Sequence, residues 1–249
     1  MDIEILTPSY QSSSGGIRVL HYLGYCLTLA GFKVKMRCDF LNPEWIPYSQ
    51  EIDLTKNHIS ILPEIYPVTF DHPLKKIVRW ALYFPSVLCN GPSRFPKHEY
   101  VVSYAPEYKE ACDIASSKKC PVFFLPYVDM IGLDDTILRE HKGAVWYGKG
   151  FGVKTRETEA LPEITRDWPT PRKKLIHFLK SIDILYSYDR FSAINDEALI
   201  CGCQVKLWNG VNFQNYYKKN PEKIIMNLEN DIVLAYNFID DIIKHFKIN

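Results

Sequence analysis

The chain has 249 residues, of which 47% are hydrophobic and 24% charged, with a formal net charge of +1. That length and composition suit a packed globular protein with one large domain or two of about 100–140 residues, and the near-neutral balance gives no support to a nucleic-acid binder, whose surface generally needs a concentrated positive field. No apolar run approaches the roughly 18 residues of a membrane span and the first residues lack a signal-peptide core, so a cytoplasmic protein is expected.

The first predicted element is an apolar strand, Ile3 to Leu6. A small-residue loop, SYQSSSGG at 9–16, follows it, and Ile17 to Leu29 carries apolar residues at helical spacing up to Gly31. A second strand, Lys33 to Cys38, completes a βαβ opening. Gly15 and Gly16 let a ligand approach the backbone where the helix begins, and this makes them candidate ligand-binding positions. The loop has neither the G-x-G-x-x-G of a dinucleotide site nor the Lys of a P-loop. Residues 63–98 are rich in Pro and aromatics, with a helix expected over Leu74 to Tyr83. Its Lys75, Lys76 and Arg79 beside Trp80 suit either a solvated face or anionic lipid headgroups. Strands are expected at Val101 to Tyr104 and Pro121 to Leu125, with a helix over Glu107 to Ala115 between them.

A polar connector at 138–143 leads to a second βα beginning. Ala144 to Tyr147 reads as a strand, and the glycine-rich turn after it holds Lys149 and Lys154, two cations able to neutralise a diphosphate. Helical spacing over Lys174 to Ser181 and a strand over Ile182 to Tyr188 continue the alternation. Next comes DRFSAINDEALICGCQV at 189–205, with Asp189 and Glu197 eight positions apart around a strand-to-helix turn. The helix opens at Ser192, Ala193 and Ile194, whose backbone N–H groups and dipole favour a diphosphate. Glu197 lies two turns in, placed to offer a carboxylate to vicinal hydroxyls. The last stretch, from about Pro221 to Ile248, has helical spacing throughout. The seven cysteines, Cys26, Cys38, Cys89, Cys112, Cys120, Cys201 and Cys203, include no C-x-x-C pair and read as free thiols. Cys201 and Cys203 with His177 lack the second ligand pair of a zinc site.

The 189–202 stretch resembles the E-x7-E signature of retaining GT-B glycosyltransferases of the family 4 type. Asp189 replaces the first Glu, Phe191-Ser192 stands where Phe-Gly is usual, and Glu197-Ala198 and Cys201-Gly202 match. Lys149 and Lys154 resemble the family's Gly-Arg-x4-Lys segment, with Lys in place of Arg, and SGGIRVLHYLGYCLTLAGFKV resembles its opening Gly-Gly loop and helix. The resemblance implies an α/β fold of two Rossmann-like domains facing a cleft, in a compact version because the chain is short for the family. The domains would be an acceptor domain at 1–140, a nucleotide-sugar domain at 141–228 and a terminal helix at 229–249 that returns to the first.

The same resemblance implies transfer of a sugar from a nucleotide-diphosphate sugar to a glycan or lipid-linked acceptor, with retention of configuration and without a metal or other cofactor. Asp189 would orient the donor sugar and Glu197 would hold the ribose. Gly15, Gly16, Lys149, Lys154 and the helix start at Ser192, Ala193 and Ile194 would hold the diphosphate. A lipid-linked acceptor would bring the protein to the inner face of a membrane as a peripheral protein. An inverting mechanism would need a base, and His72 beside Asp71 is the candidate. The alternatives are a sugar-nucleotide epimerase or hydrolase and a non-catalytic sugar-nucleotide-binding subunit. The nucleotide base, sugar, acceptor and oligomeric state stay open.

Overall fold

The computed structural model describes residues 1–45, 47–54, 57–67, 76–88, 91–129, 133, 135–150, 155–218 and 220–248. The protein is α/β, with two five-stranded, mainly parallel sheets and five α-helices among those residues. It divides into two compact units: Met1–Tyr10, Gly16–Leu125 and Asn227–Asn249 form the first, and Gln11–Gly15 and Pro126–Met226 the second.

The first unit contains β1 (Asp2–Leu6), α1 (Gly15–Leu29, its first residue grouped with the second unit), β2 (Lys33–Arg37), β3 (His58–Pro63), β4 (Ile77–Ala81), β5 (Tyr100–Ser103), α2 (Pro106–Ser116) and α5 (Leu228–Phe246). Its sheet has the order β2-β1-β3-β4-β5, parallel throughout. Alternation gives the two faces opposite character. Ile3, Ile5, Val34, Met36, Ile59, Ile61 and Val78 make one face and are fully buried or nearly so. α1 lies close over it, since a Cβ on Gly24 would stand 2.5 Å from the Met36 sulfur. The other face carries Glu4, His58, Ser60 and Arg79, all buried as well. Ion pairs and hydrogen bonds offset their desolvation: Glu4 accepts from Ser60 Oγ (3.0 Å) and pairs with Arg37 (3.1 Å).

The helix expected over Leu74–Tyr83 is overturned. Ile77–Ala81 is β4, buried at every position, while Leu74 and Lys75 lie outside the described residues. Arg79 misleads a pattern reading because its charge is met indoors. Its fork bonds both oxygens of Glu99 (2.9 and 2.7 Å) and donates to the carbonyls of Pro63 (3.1 Å) and Tyr66 (2.8 Å). Arg79 is therefore no part of a lipid-facing surface. Pro121–Leu125 is not a strand either. It makes one bridge, Ser103 to Val122, between Pro121 and Pro126, which supply no N–H for a ladder. Nor is the last stretch one helix. A 3-10 turn at Pro221–Ile224 and an extended link precede α5, whose start Asn227 caps by accepting from the Asn230 N–H (3.2 Å). Within the first unit the α5 ring of Phe238 stacks on Phe123 at 3.9 Å, and Tyr22 on α1 donates to Asp231 on α5 (2.8 Å).

The second unit contains β6 (His141–Trp146), β7 (Glu163–Ile164), α3 (Arg172–Ser181), β8 (Ile182–Ser187), α4 (Ala193–Ile200), β9 (Gln204–Trp208) and β10 (Phe213–Tyr216). The sheet order is β10-β9-β8-β6-β7, with β10 alone antiparallel, folded back on β9 through a turn that needs Gly210 at φ +99°. α3 and α4 pack over the sheet through Ile176, Leu179, Ile194 and Ala198 against Ala144, Leu185 and Val205. Cys201 and Cys203 belong to this core, and their thiols donate to the α3 carbonyls of Ile176 (3.9 Å) and Leu179 (2.8 Å).

Both sheets share one order of connection: the chain steps from the first strand to one side, then crosses to the other. That places a topological switch point at β1/β3 in the first unit and at β6/β8 in the second. In parallel α/β sheets ligands gather beyond the carboxyl ends of strands at such points.

Candidate functional site

The switch point of the second unit is built from two loops. The first leaves β6 at Trp146 and turns through Tyr147–Gly150, closed by the Gly150 N–H to the Tyr147 carbonyl (2.8 Å), with Gly148 at φ +57°. The second leaves β8 at Ser187 and reaches α4 through Tyr188–Ser192. The two are pressed together: a Cβ on Gly150 would lie 1.9 Å from the Tyr188 carbonyl oxygen, and one on Gly148 would lie 2.5 Å from Trp146 Nε1 and 2.6 Å from Asp189 Oδ2. Both glycines are therefore required by close approach of backbone, and the rings of Tyr147 and Tyr188 stack beside them at 4.9 Å.

Asp189 is the link between these loops. It is 5% exposed, and its Oδ2 accepts from the Lys149 backbone N–H (3.0 Å) while Oδ1 accepts from the Phe191 N–H (3.3 Å). Its own carbonyl accepts from Asn195 Nδ2 (2.7 Å), which also donates to the Arg190 carbonyl (3.3 Å). The first acid of the motif thus organises backbone, a role its spacing in sequence did not disclose.

α4 begins at Ala193 after Ser192, and no side chain caps it. Its next acids point to different partners. Asp196 accepts from the hydroxyls of Tyr127 (2.7 Å) and Tyr216 (2.9 Å) and pairs with Lys218. Glu197 is 2% exposed and pairs with Arg172 Nη1 (3.3 Å), whose Nε donates to Asp129 Oδ2 (2.7 Å). Burial alone would lower the Arg172 pKa, but the charges of Glu197 and Asp129 overcome that and hold it above its ordinary value. Glu197 is thus an interior ion-pair partner, not a carboxylate standing at the surface for hydroxyls.

Of the residues singled out from sequence, Asp189, Lys149, Ser192, Ala193 and Ile194 come together at this switch point. Glu197 stands behind it with Arg172. Gly15 and Gly16 open α1 beyond β1, where Gly16 has room, its nearest would-be Cβ contact being Leu82 Cδ1 at 3.6 Å. Lys154 lies outside the described residues, as do Asp71 and His72. Sequence reasoning missed Arg172 and Arg190. Arg190 is exposed in the second loop, its guanidinium 5.9 Å from the Phe191 ring centroid, and its place inside the motif was a signal available for the finding.

No family model matches the chain, and no curated protein matches it. Among the described residues no helix is long and apolar enough to cross a membrane.

Proposed function

We propose that the second unit holds a nucleotide-diphosphate sugar at the carboxyl ends of β6 and β8, and that the protein transfers the sugar to a glycan or lipid-linked acceptor as a compact GT-B glycosyltransferase. One observation carries this proposal: Asp189 ties the Gly148–Lys149–Gly150 turn to the start of α4, which collects a cationic glycine turn, a helix N-terminus and the exposed Arg190 at a single switch point. Departure of a diphosphate needs positive charge near the leaving oxygens. Lys149, Arg190 and the first amides of α4 can supply it, while Asp189 keeps the two loops in register. Transfer with retention needs no protein base when the leaving phosphate accepts the acceptor's proton. Glu197 enters the site indirectly, by holding Arg172.

A second possibility, a sugar-nucleotide-binding subunit without turnover, is favoured by a specific observation: Asp189 and Glu197 are both engaged inside the unit, with backbone amides and with Arg172.

Titration calorimetry of the full chain with UDP, GDP and ADP, then product analysis of radiolabelled nucleotide sugars with and without polyisoprenyl-phosphate and glycan acceptors, separates these. A transferase binds one diphosphate and yields labelled acceptor. The binding subunit binds without product, and an epimerase or hydrolase changes the sugar with no acceptor present. Absence of binding to every nucleotide sinks the donor site, as does binding that is indifferent to Lys149→Ala combined with Arg190→Ala.

A further inference from the structure

Among the described residues, three buried side-chain polar atoms of the second unit have no hydrogen-bond partner: Trp146 Nε1, Arg172 Nη2 and Asn195 Oδ1. All belong to the carboxyl end of its sheet. Trp146 ends β6, Asn195 lies in the first turn of α4, and Arg172 opens α3, the helix that runs back to the start of β8. Folded interiors leave few such atoms, and the costliest is one on a charged group.

Arg172 is that group. It is 7% exposed, with Nε and Nη1 occupied by Asp129 and Glu197. Its position is also costly, because the first turn of α3 holds Arg172, Lys173 and Lys174 and no acid, at the helix end whose dipole disfavours cations. Stability alone would select an acid there. The Arg172 guanidinium already faces two carboxylates, which disfavour a phosphate beside them. An uncharged hydroxyl fits instead: its oxygen can accept from Nη2 and its hydrogen can turn toward a carboxylate.

Resting on the donor-site proposal above, we infer that Arg172 is a binding residue for a sugar hydroxyl of the nucleotide sugar, donating through Nη2, with Glu197 and Asp129 holding the fork in place. Nη2 is covered in the present conformation, so the hydroxyl reaches it as the ligand displaces what lies over it.

The test is calorimetry on the full chain with UDP, GDP, their 2′-deoxy and 3′-deoxy forms, and UDP-glucose and GDP-mannose, for the wild type and Arg172→Lys. Lys keeps a cation opposite Glu197 and Asp129 but lacks the second fork nitrogen. If the hydroxyl is the ribose's, Arg172→Lys weakens the diphosphate about ten- to hundredfold and a deoxy form is weakened as much in the wild type and no further in the variant. If it is the transferred sugar's, the variant loses affinity for a nucleotide sugar and keeps it for the diphosphate. Equal affinities of variant and wild type for every ligand overturn the inference while leaving the donor site standing. Should Arg172→Lys fail to fold, the wild type decides: no loss with either deoxy form and no tighter binding of nucleotide sugar than of diphosphate overturns it. A wild type that binds no nucleotide fails the donor site itself, and the inference with it.

Discussion

The two sheets share a strand order but use the acid beyond their third strand differently. In the first unit Glu64 follows β3 and accepts the Leu82 N–H (2.8 Å) from the loop after β4, so it joins two strands on one side of the switch point. In the second, Asp189 follows β8 and accepts the Lys149 N–H (3.0 Å) from the loop after β6, so it joins loops across the switch point. A carboxylate at a strand end can therefore be a staple of backbone in either place. Both stapled amides lie near a helix start, Leu82 beside Gly16 of α1 and Lys149 near α4, but only in the second unit does the stapled amide belong to a cationic glycine turn. That difference, and not the presence of an acid, is why the donor site is proposed at the second switch point.

The largest test of this contrast concerns what lies behind the staple. Glu197→Ala should destabilise the protein by about 3–5 kcal/mol, because it removes the partner of a buried guanidinium, and Glu197→Gln by less, as read by chemical denaturation; an unchanged midpoint would show that Arg172 needs no partner. The glycines come next. Gly150→Ala, whose Cβ would meet the Tyr188 carbonyl at 1.9 Å, should cost about 3 kcal/mol through backbone displacement. Gly16→Ala in the first unit has room and should shift stability by no more than about 1 kcal/mol, in either direction. Equal effects at the two positions would erase the distinction between a packed turn and an open one.

Smaller effects sharpen the staples themselves. Asp189→Asn keeps one acceptor and loses the charge, and should cost about 1–2 kcal/mol, as should Glu64→Gln. On the proposed donor site, the first should also weaken nucleoside diphosphate binding while the second leaves it unchanged, since Asp189, unlike Glu64, accepts from the Lys149 N–H. The smallest expected effect is a pH slope. His21, buried in α1 with Nε2 against the Pro8 carbonyl (3.0 Å) and Nδ1 against the Tyr48 hydroxyl (2.7 Å), is held by burial below its ordinary pKa of 6.5. The unfolded chain takes up this proton first, so the contribution is complete above pH 6.5 and is lost as the pH falls below it toward the lower folded value. Melting temperatures of the wild type should drop over that window by more than those of His21→Gln; parallel curves would remove His21 as the cause.

Much of the fold was legible because period and punctuation agree with it. The apolar run Ile3–Leu6, the helical spacing of Ile17–Leu29 and the succession from β6 to α4 each bury a face that the pattern announces. Legibility stopped where charge enters the interior. Arg79 reads as solvated until the pairing of β4 with β5 brings Glu99, just before β5, to it, and Glu197 reads as available until Arg172, 25 positions away in sequence, closes on it. Strand β3 was passed over because His58 and Ser60 interrupt an apolar reading, although both are paired with β1 in a buried row.

Sequence by itself determined the alternation of strands and helices, the glycine turn after β6 and the start of α4 near Ser192, since these follow from local periodicity, helix-end chemistry and the conformational freedom of glycine. Tertiary structure alone decided which acids are staples, which pair with cations, and which donor is left over at Arg172. Those outcomes depend on contacts between distant segments, and the desolvation that makes them matter exists only once the segments have come together.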